Sequence, residues 1–355
     1  MATASSKPSL GVNMVGEQSP LLGSDNEHKD RNSVTKHGDT SPQAPQRRRP
    51  VPQTIGHRGF KAVAPENTMA AFVAAVEAGV DAIETDLHLT RDGVVVLCHD
   101  GTLQRCYGNK ARVRDLDWSE ISELRTLREP RQPMPRLVDL LKYLEEPGLE
   151  DIWLILDIKK HDDAGEIMRR IADALASVPS RRPWSERVTP CCWDATYIAL
   201  GMKYLPDYRT MHVGFSSISY PRCLSNIPNI SFSIFHYTLA TLPGRRFLRD
   251  MKKQGIPVHV WTVNDESWME WCIRNEVSGV ITDEVGLFRK VCDRIRSEED
   301  EQGKKTLALN PRSLYRWVGF LGKMAVVHLL LLIFMADSWL RHGPTSHRVK
   351  KALDG

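Results

Sequence analysis

The chain has 355 residues, 41% of them hydrophobic, enough for one large domain with a buried core plus tails. A net charge of only +4 gives no electrostatic footprint for nucleic acid, and no nucleic-acid motif accompanies it. The seven cysteines are scattered with no C-x-x-C pair, which argues against zinc and a secreted disulfide framework and fits reduced intracellular thiols.

Residues 1–50 are rich in Ser, Pro, Gln and charge, show no periodicity, and are expected to be a disordered tail. The first twenty residues hold no apolar core, so no signal peptide is expected. Glu17-Gln18-Ser19-Pro20-Leu21-Leu22 has the form of an acidic dileucine sorting signal, which would point to a vacuolar or endosomal route.

From 51 to 295 short apolar runs alternate with helical patterns. Strands are expected near 54–57, 80–87, 93–98, 152–158, 187–193, 209–213, 230–235, 257–263 and 279–282. Helices are expected near 68–78, 119–127, 137–145, 163–177, 195–204, 243–254, 267–275 and 285–297. This βα rhythm predicts an α/β fold, a (β/α)8 TIM barrel with catalytic groups at the strand C-terminal ends. Residues 100–136 exceed a plain βα loop and are expected to form an insertion at the barrel mouth. No G-x-G-x-x-G follows a strand, which disfavours an open dinucleotide-binding sheet.

Residues 296–316 read as a charged linker. Residues 317–340 are long enough to span a bilayer as a helix, although Lys323, His328 and Asp337 interrupt them. Trp317 and Trp339 bracket the segment as interface anchors do. It is expected to attach the protein to a membrane as a tail anchor or by shallow insertion. The alternative is a helix docked on the barrel through its apolar stripe. Residues 341–355 read as a short basic tail.

The chemistry-bearing residues sit at or just past the ends of apolar runs. Residues two apart in a strand share a face, so Glu84 and Asp86 point together, with His88 continuing that face. Two carboxylates this close need a cation, and oxygen ligands suit one Mg²⁺ or Ca²⁺. Asp157 adds a third acid at a strand end, with Lys159 on the same face. His57, followed by Arg58, and His99, followed by Asp100, both come after strands, where a histidine can serve as general acid or base. Trp261 and Asn264, in Trp261-Thr262-Val263-Asn264, are expected to line the pocket.

Taken together and in order, several motifs resemble the glycerophosphodiester phosphodiesterase family. They are His57-Arg58-Gly59, Pro65-Glu66-Asn67-Thr68, Glu84-x-Asp86, Asp92-Gly93, His99-Asp100, Thr262-Val263-Asn264 and Ile281-Thr282-Asp283. The resemblance implies a TIM barrel binding one divalent metal through Glu84, Asp86 and Asp157, the last standing where most members carry Glu. It implies His57 and His99 as the acid–base pair and Arg58 and Lys159 as phosphate-contacting cations. Ile83-Glu84-Thr85-Asp86-Leu87, Leu156-Asp157-Ile158-Lys159 and the C-terminal apolar segment are similar to the fungal phosphatidylglycerol-specific phospholipase C branch. That likeness implies hydrolysis of phosphatidylglycerol to diacylglycerol and glycerol phosphate at an intracellular membrane, with the barrel on the cytosolic side. The membrane could be endoplasmic reticulum, lipid droplet or mitochondrial surface. A lysophospholipase D, a soluble-substrate phosphodiesterase, and an inactive membrane-bound lipid-sensing scaffold are the competing expectations. Oligomeric state is left open by the sequence.

Overall fold

The computed structural model describes residues 51–217, 220–302 and 345–354. Strands β1 (Gln53–His57), β2 (Ala82–Leu89), β4 (Trp153–Ile158), β5 (Val188–Cys192), β6 (Thr210–Gly214), β7 (Ile230–Phe235), β8 (Val258–Trp261) and β9 (Gly279–Thr282) pair in parallel with their neighbours. β1 pairs with both β2 and β9, which closes an eight-stranded parallel barrel. The expected TIM-type architecture is present.

The 93–98 run behaves differently from the other strand segments. It forms β3 (Val95–Leu97), antiparallel to β2 and outside the closed ring. The chain reverses at Asp92-Gly93, where Gly93 has φ +80, and so short a link permits only an antiparallel return.

Alternation within the strands sorts side chains into two cores. Ile55, Ala82, Ile155, Cys191, Met211, Val213 and Ile281 fill the barrel interior. The opposite faces, such as Ile83 and Leu87 of β2, pack under the surrounding helices. Those helices are α1 (Met69–Glu77), α4 (Leu137–Tyr143), α5 (Ala164–Ser177), α7 (Ala195–Tyr204), α10 (Leu242–Gln254), α11 (Glu266–Arg274) and α12 (Val285–Gln302), with shorter α6 (Trp184–Arg187), α8 (Tyr220–Leu224) and α9 (His236–Ala240). α5 shows the logic: Ile167, Met168, Ile171 and Leu175 form its buried stripe, and Asp163 caps it by accepting the Glu166 N–H.

The segment after β3 carries α2 (Gln104–Tyr107) and α3 (Trp118–Ile121). It has an apolar core of its own, built from Val96, Leu103, Tyr107, Val113, Ile121 and Met134. That core makes the insertion a rigid platform beside the barrel mouth. All seven cysteines are free thiols.

The C-terminal region departs from expectation in two places. Residues 296–302, read as linker, continue α12, because Arg294 pairs with Glu266 and Glu270 of α11 and lies 3.8 Å from Glu298 one turn on. The end of the chain, read as a basic tail, forms a helix, Thr345–Asp354, packed on α7 and α8. Val349, Ala352 and Leu353 lie at i, i+3 and i+4 and give it an apolar stripe, with Val349 buried. No helix among the described residues is long and apolar enough to cross a membrane. Residues 1–50 and 317–340, and the expectations placed on them, lie outside the described residues.

One charged residue is buried far from the mouth. The Arg187 guanidinium, 1% exposed, pairs with Glu145 at 2.7 Å and donates to the carbonyls of Leu144, Leu149 and Ile152. It therefore ties the loop before β4 to the start of β5. Arg187→Ala strands Glu145 and three carbonyls, and we expect a loss of about 3–5 kcal/mol in urea unfolding. A loss within error would show that water replaces the clamp.

Candidate active site

Barrel register builds the site. Asp86 of β2 stands directly beside Asp157 of β4, and His57 of β1 beside Glu84 of β2. His57 ends β1 and Asp157 is next to last in β4, and Glu84 and Asp86 stand level with them in the longer β2, so the four meet at the end of the barrel where catalytic groups of this architecture are carried. Glu84, Asp86 and Asp157 each offer a carboxylate oxygen, and these oxygens lie within 4.8 Å of one another. All three residues are buried.

Two cations hold this acidic cluster. Lys159 Nζ sits 2.6 Å from both Asp86 Oδ1 and Asp157 Oδ2. Arg58 Nε lies 3.1 Å from Asp86 Oδ2, and its backbone N–H donates to Glu84 Oε2 at 3.0 Å. Trp193 Nε1–H donates to Asp157 Oδ1 at 2.7 Å. Burial works against charge on Asp86, but Lys159 and Arg58 outweigh it and hold the carboxyl far below the usual range. Burial likewise opposes the Lys159 ammonium, and Asp86 and Asp157 overcome it and raise its pKa.

Glu84 is the exception. Burial, then the charges of Asp86 and Asp157, push its carboxyl well above the usual range. Three carboxylates face two side-chain cations, and Glu84 is the one left short of positive charge. An all-oxygen donor set with this deficit fits a hard divalent cation such as Mg²⁺ or Ca²⁺. Glu84, Asp86 and Asp157 would hold it.

The turn after β1 is shaped for this role. Arg58 and Asn67 both adopt positive φ, +57 and +53, an uncommon conformation for residues other than glycine. Gly59 follows at φ +81, and a Cβ there would meet the Ala71 backbone at 2.6 Å. The turn thus packs on the first turn of α1, which Thr68 caps. Asn67 Nδ2 donates to Asp86 Oδ2 at 2.8 Å, and its Oδ1 accepts the Thr85 hydroxyl at 2.8 Å.

Each histidine has a carboxylate behind it. His57 Nδ1 is 2.6 Å from Asp283 Oδ1, and Asn264 Nδ2 donates to the other Asp283 oxygen at 2.8 Å. His99 Nδ1 is 2.7 Å from Asp100 Oδ1. Burial lowers the His57 pKa below its ordinary 6.5, against the raising effect of the Asp283 hydrogen bond. Burial also lowers that of His99, opposed first by Asp86. His88 does not reach the cavity: it is buried, with Nδ1 2.8 Å from Asp162.

His57, Arg58, Glu84, Asp86, His99, Asp157, Lys159 and Trp261 all line one cavity of about 180 Å³. Asn264 does not line it and instead braces Asp283, also accepting the Asp283 N–H at 2.9 Å. The other wall is aromatic. Trp193, Phe215 and Trp261 lie with ring centroids 5.1–5.9 Å apart, and Phe215 is 44% exposed at the rim. Sequence reasoning missed Trp193 and Phe215, since the loops after β5 and β6 carry no periodic signal.

It also missed Arg105. From α2, this side chain makes two hydrogen bonds to Glu66, at 2.7 and 2.9 Å, and two to Asp100, at 2.7 and 3.1 Å. Glu66 in turn accepts from Arg58 at 2.8 Å. Burial opposes the Glu66 charge, yet Arg105 and Arg58 hold its pKa at about 2. A continuous ionic chain therefore runs from Arg58 through Glu66, Arg105 and Asp100 to His99.

An acidic triad, two cations and two carboxylate-backed imidazoles at the mouth of a parallel barrel define a hydrolase of phosphoric diesters. Residues 57–287 match the model of the glycerophosphoryl diester phosphodiesterase family, and the chain belongs to that family. The family is divalent-metal dependent. A glycerophosphodiester phosphodiesterase of Caldanaerobacter subterraneus subsp. tengcongensis is 28% identical over 243 residues, covering 66% of this chain and 97% of its own. Among solved structures, a glycerophosphodiester phosphodiesterase of Thermotoga maritima superposes with TM-score 0.55 at 28% identity, covering 68% of this chain and 98% of its own. A phosphodiesterase of Oleispira antarctica, solved with its product sn-glycerol-3-phosphate, gives 0.60 at 19%, covering 68% and 97%.

Arg105→Ala breaks the chain between Glu66 and Asp100 without touching the cavity wall. We expect kcat to fall by about 10²-fold, the scale of a small misplacement of a catalytic group, with KM changing less. Arg105→Lys should not rescue, because an ammonium lacks the planar fork that spans two carboxylates. Steady-state kinetics that left kcat intact would remove Arg105 from the site.

Proposed function

We propose that this protein is a phospholipase C that hydrolyses phosphatidylglycerol to diacylglycerol and glycerol phosphate at an intracellular membrane surface. The observation that carries this reading is the divided cavity. Charged groups for a glycerol phosphodiester occupy one wall, and Trp193, Phe215 and Trp261 form the other. A small polar leaving group has no use for an exposed aromatic wall, whereas a diacylglycerol buries apolar area against it. The apolar stretch 317–340 supports attachment to the membrane, with the barrel on the cytosolic side.

In this mechanism His57, held by Asp283, accepts the proton of the headgroup hydroxyl next to the phosphate. That oxygen forms a bond to phosphorus as the bond to the diacylglycerol oxygen breaks. His99, held by Asp100, donates a proton to the departing oxygen. Water then opens the cyclic phosphate with the proton roles reversed, giving glycerol phosphate. Arg58 and Lys159 stabilise the added negative charge on the phosphoryl oxygens. Glu84, Asp86 and Asp157 would hold a divalent ion, which when bound would add charge stabilisation.

A soluble glycerophosphodiester is the second reading. It is favoured by the name of the Caldanaerobacter relative and by the glycerol phosphate product bound to the Oleispira enzyme.

Full-length protein with mixed-lipid vesicles should release diacylglycerol and glycerol phosphate from phosphatidylglycerol alone, and chelator should abolish release. Phe215→Ala should depress vesicle turnover about tenfold, as expected when apolar contact area is lost, while sparing a small glycerophosphodiester. Phosphatidic acid as product would move the cut to the other side of the phosphate. Turnover of soluble diesters only would establish the second reading.

The pH dependence has a defined sign. His57 accepts a proton only when neutral, and burial sets its pKa below 6.5, so kcat/KM should fall with decreasing pH on a limb centred below 6.5. The Asp283 carboxylate raises that pKa, so Asp283→Asn should move the limb to lower pH while reducing the plateau. A limb that moved upward would be inconsistent with His57 as the proton acceptor.

A further inference from the structure

A second cavity, of about 340 Å³, opens beside the insertion and is lined by His88, Gly101, Thr102, Arg112, Arg114 and His161. It shares no lining residue with the catalytic cavity. The His99–Gly101 segment separates them: His99 faces the catalytic side, and His88 Nε2 lies 3.3 Å from the His99 carbonyl oxygen.

The charges around this cavity do not balance. Its one acid, Asp162, is already engaged: Oδ2 lies 2.8 Å from His88 Nδ1 and accepts the Leu89 N–H at 3.4 Å. Neither Arg112 nor Arg114 forms an ion pair among the described residues. Among the described residues the Arg114 guanidinium donates only to the His161 carbonyl, at 3.4 Å. Arg105, by contrast, is fully engaged by Glu66 and Asp100. Two guanidinium groups without counter-charge therefore border one cavity together with two imidazoles. Gly101 helps keep it open, since a Cβ there would stand 3.7 Å from the His161 ring and 3.9 Å from that of His88.

Two guanidinium groups and the His161 imidazole around a concave space, with His88 held in the wall, suit an anion with several acceptor oxygens. We propose that this cavity is a second oxyanion site, for a phosphate group distinct from the diester being cleaved. The group is either free phosphate or a phosphomonoester headgroup carried by a neighbouring lipid. The site does not depend on which phosphodiester is the substrate.

The test uses full-length protein carrying isotope-labelled histidine, titrated with inorganic phosphate and followed by NMR. The His161 and His88 ring signals should shift saturably, and the His57 signal reports any binding in the catalytic cavity separately. Arg112→Gln/Arg114→Gln should weaken the His161 response by roughly tenfold or more, as loss of charge-assisted contacts does, and leave turnover of a small glycerophosphodiester unchanged. Sedimentation with phosphatidylcholine vesicles, with and without phosphatidic acid, distinguishes the sources. Retention that depends on phosphatidic acid, falls in the double variant and is competed by phosphate identifies a lipid headgroup. A His161 response without such retention identifies free phosphate. Phosphate that perturbs His57 alone, or an equal His161 response in the double variant, would overturn the proposal.

Discussion

Lys159 places one ammonium 2.6 Å from both Asp86 and Asp157, where two strands deliver carboxylates side by side into a water-poor barrel end. Without that charge, three buried acids with oxygens within 4.8 Å of one another would repel and protonate. With it, Asp86 stays ionised, and Glu84 is left with its pKa pushed up. The same residual deficit that destabilises the empty cluster favours a divalent ion. Stability is traded here for a preformed ligand set, as strained functional sites commonly do.

Around this centre the two histidines are held by different means. Asp283, which backs His57, is fixed from β9 by the barrel itself, with Asn264 and Lys61 at its outer oxygen. Asp100, which backs His99, is fixed from the insertion through Arg105 and Glu66. One imidazole thus depends on closure of the sheet and the other on docking of a separate small core. The link from Glu66 to Arg58 makes the second arrangement sense the phosphate side of the cavity as well.

Much of this was legible from spacing. The alternation of Glu84 with Asp86, and of Asp157 with Lys159, placed each pair on one strand face, and the βα rhythm placed those faces at one end of a barrel. What escaped was long-range. His57 and Asp283 are 226 residues apart and meet only because β1 and β9 are adjacent in the closed ring, with Gly56 opposite Thr282. No local pattern encodes that neighbourhood. Arg105 read as one more charge in an irregular insertion, because its partners come from two different loops. Asn264 read as pocket lining, but its amide holds Asp283 and accepts the Thr282 hydroxyl. Residues 296–302 read as linker because they are charged, yet they continue α12, whose Arg294 pairs with Glu266 and Glu270 of α11.

The helix Thr345–Asp354 rests on α7 and α8, so the chain that leaves α12 at Gln302 comes back to the same body. Gln302 and Thr345 therefore belong to one body. A single crossing of a bilayer would put those two residues on opposite sides of a hydrocarbon layer about 30 Å thick. A docked C-terminal helix and a single crossing between Gln302 and Thr345 therefore exclude each other.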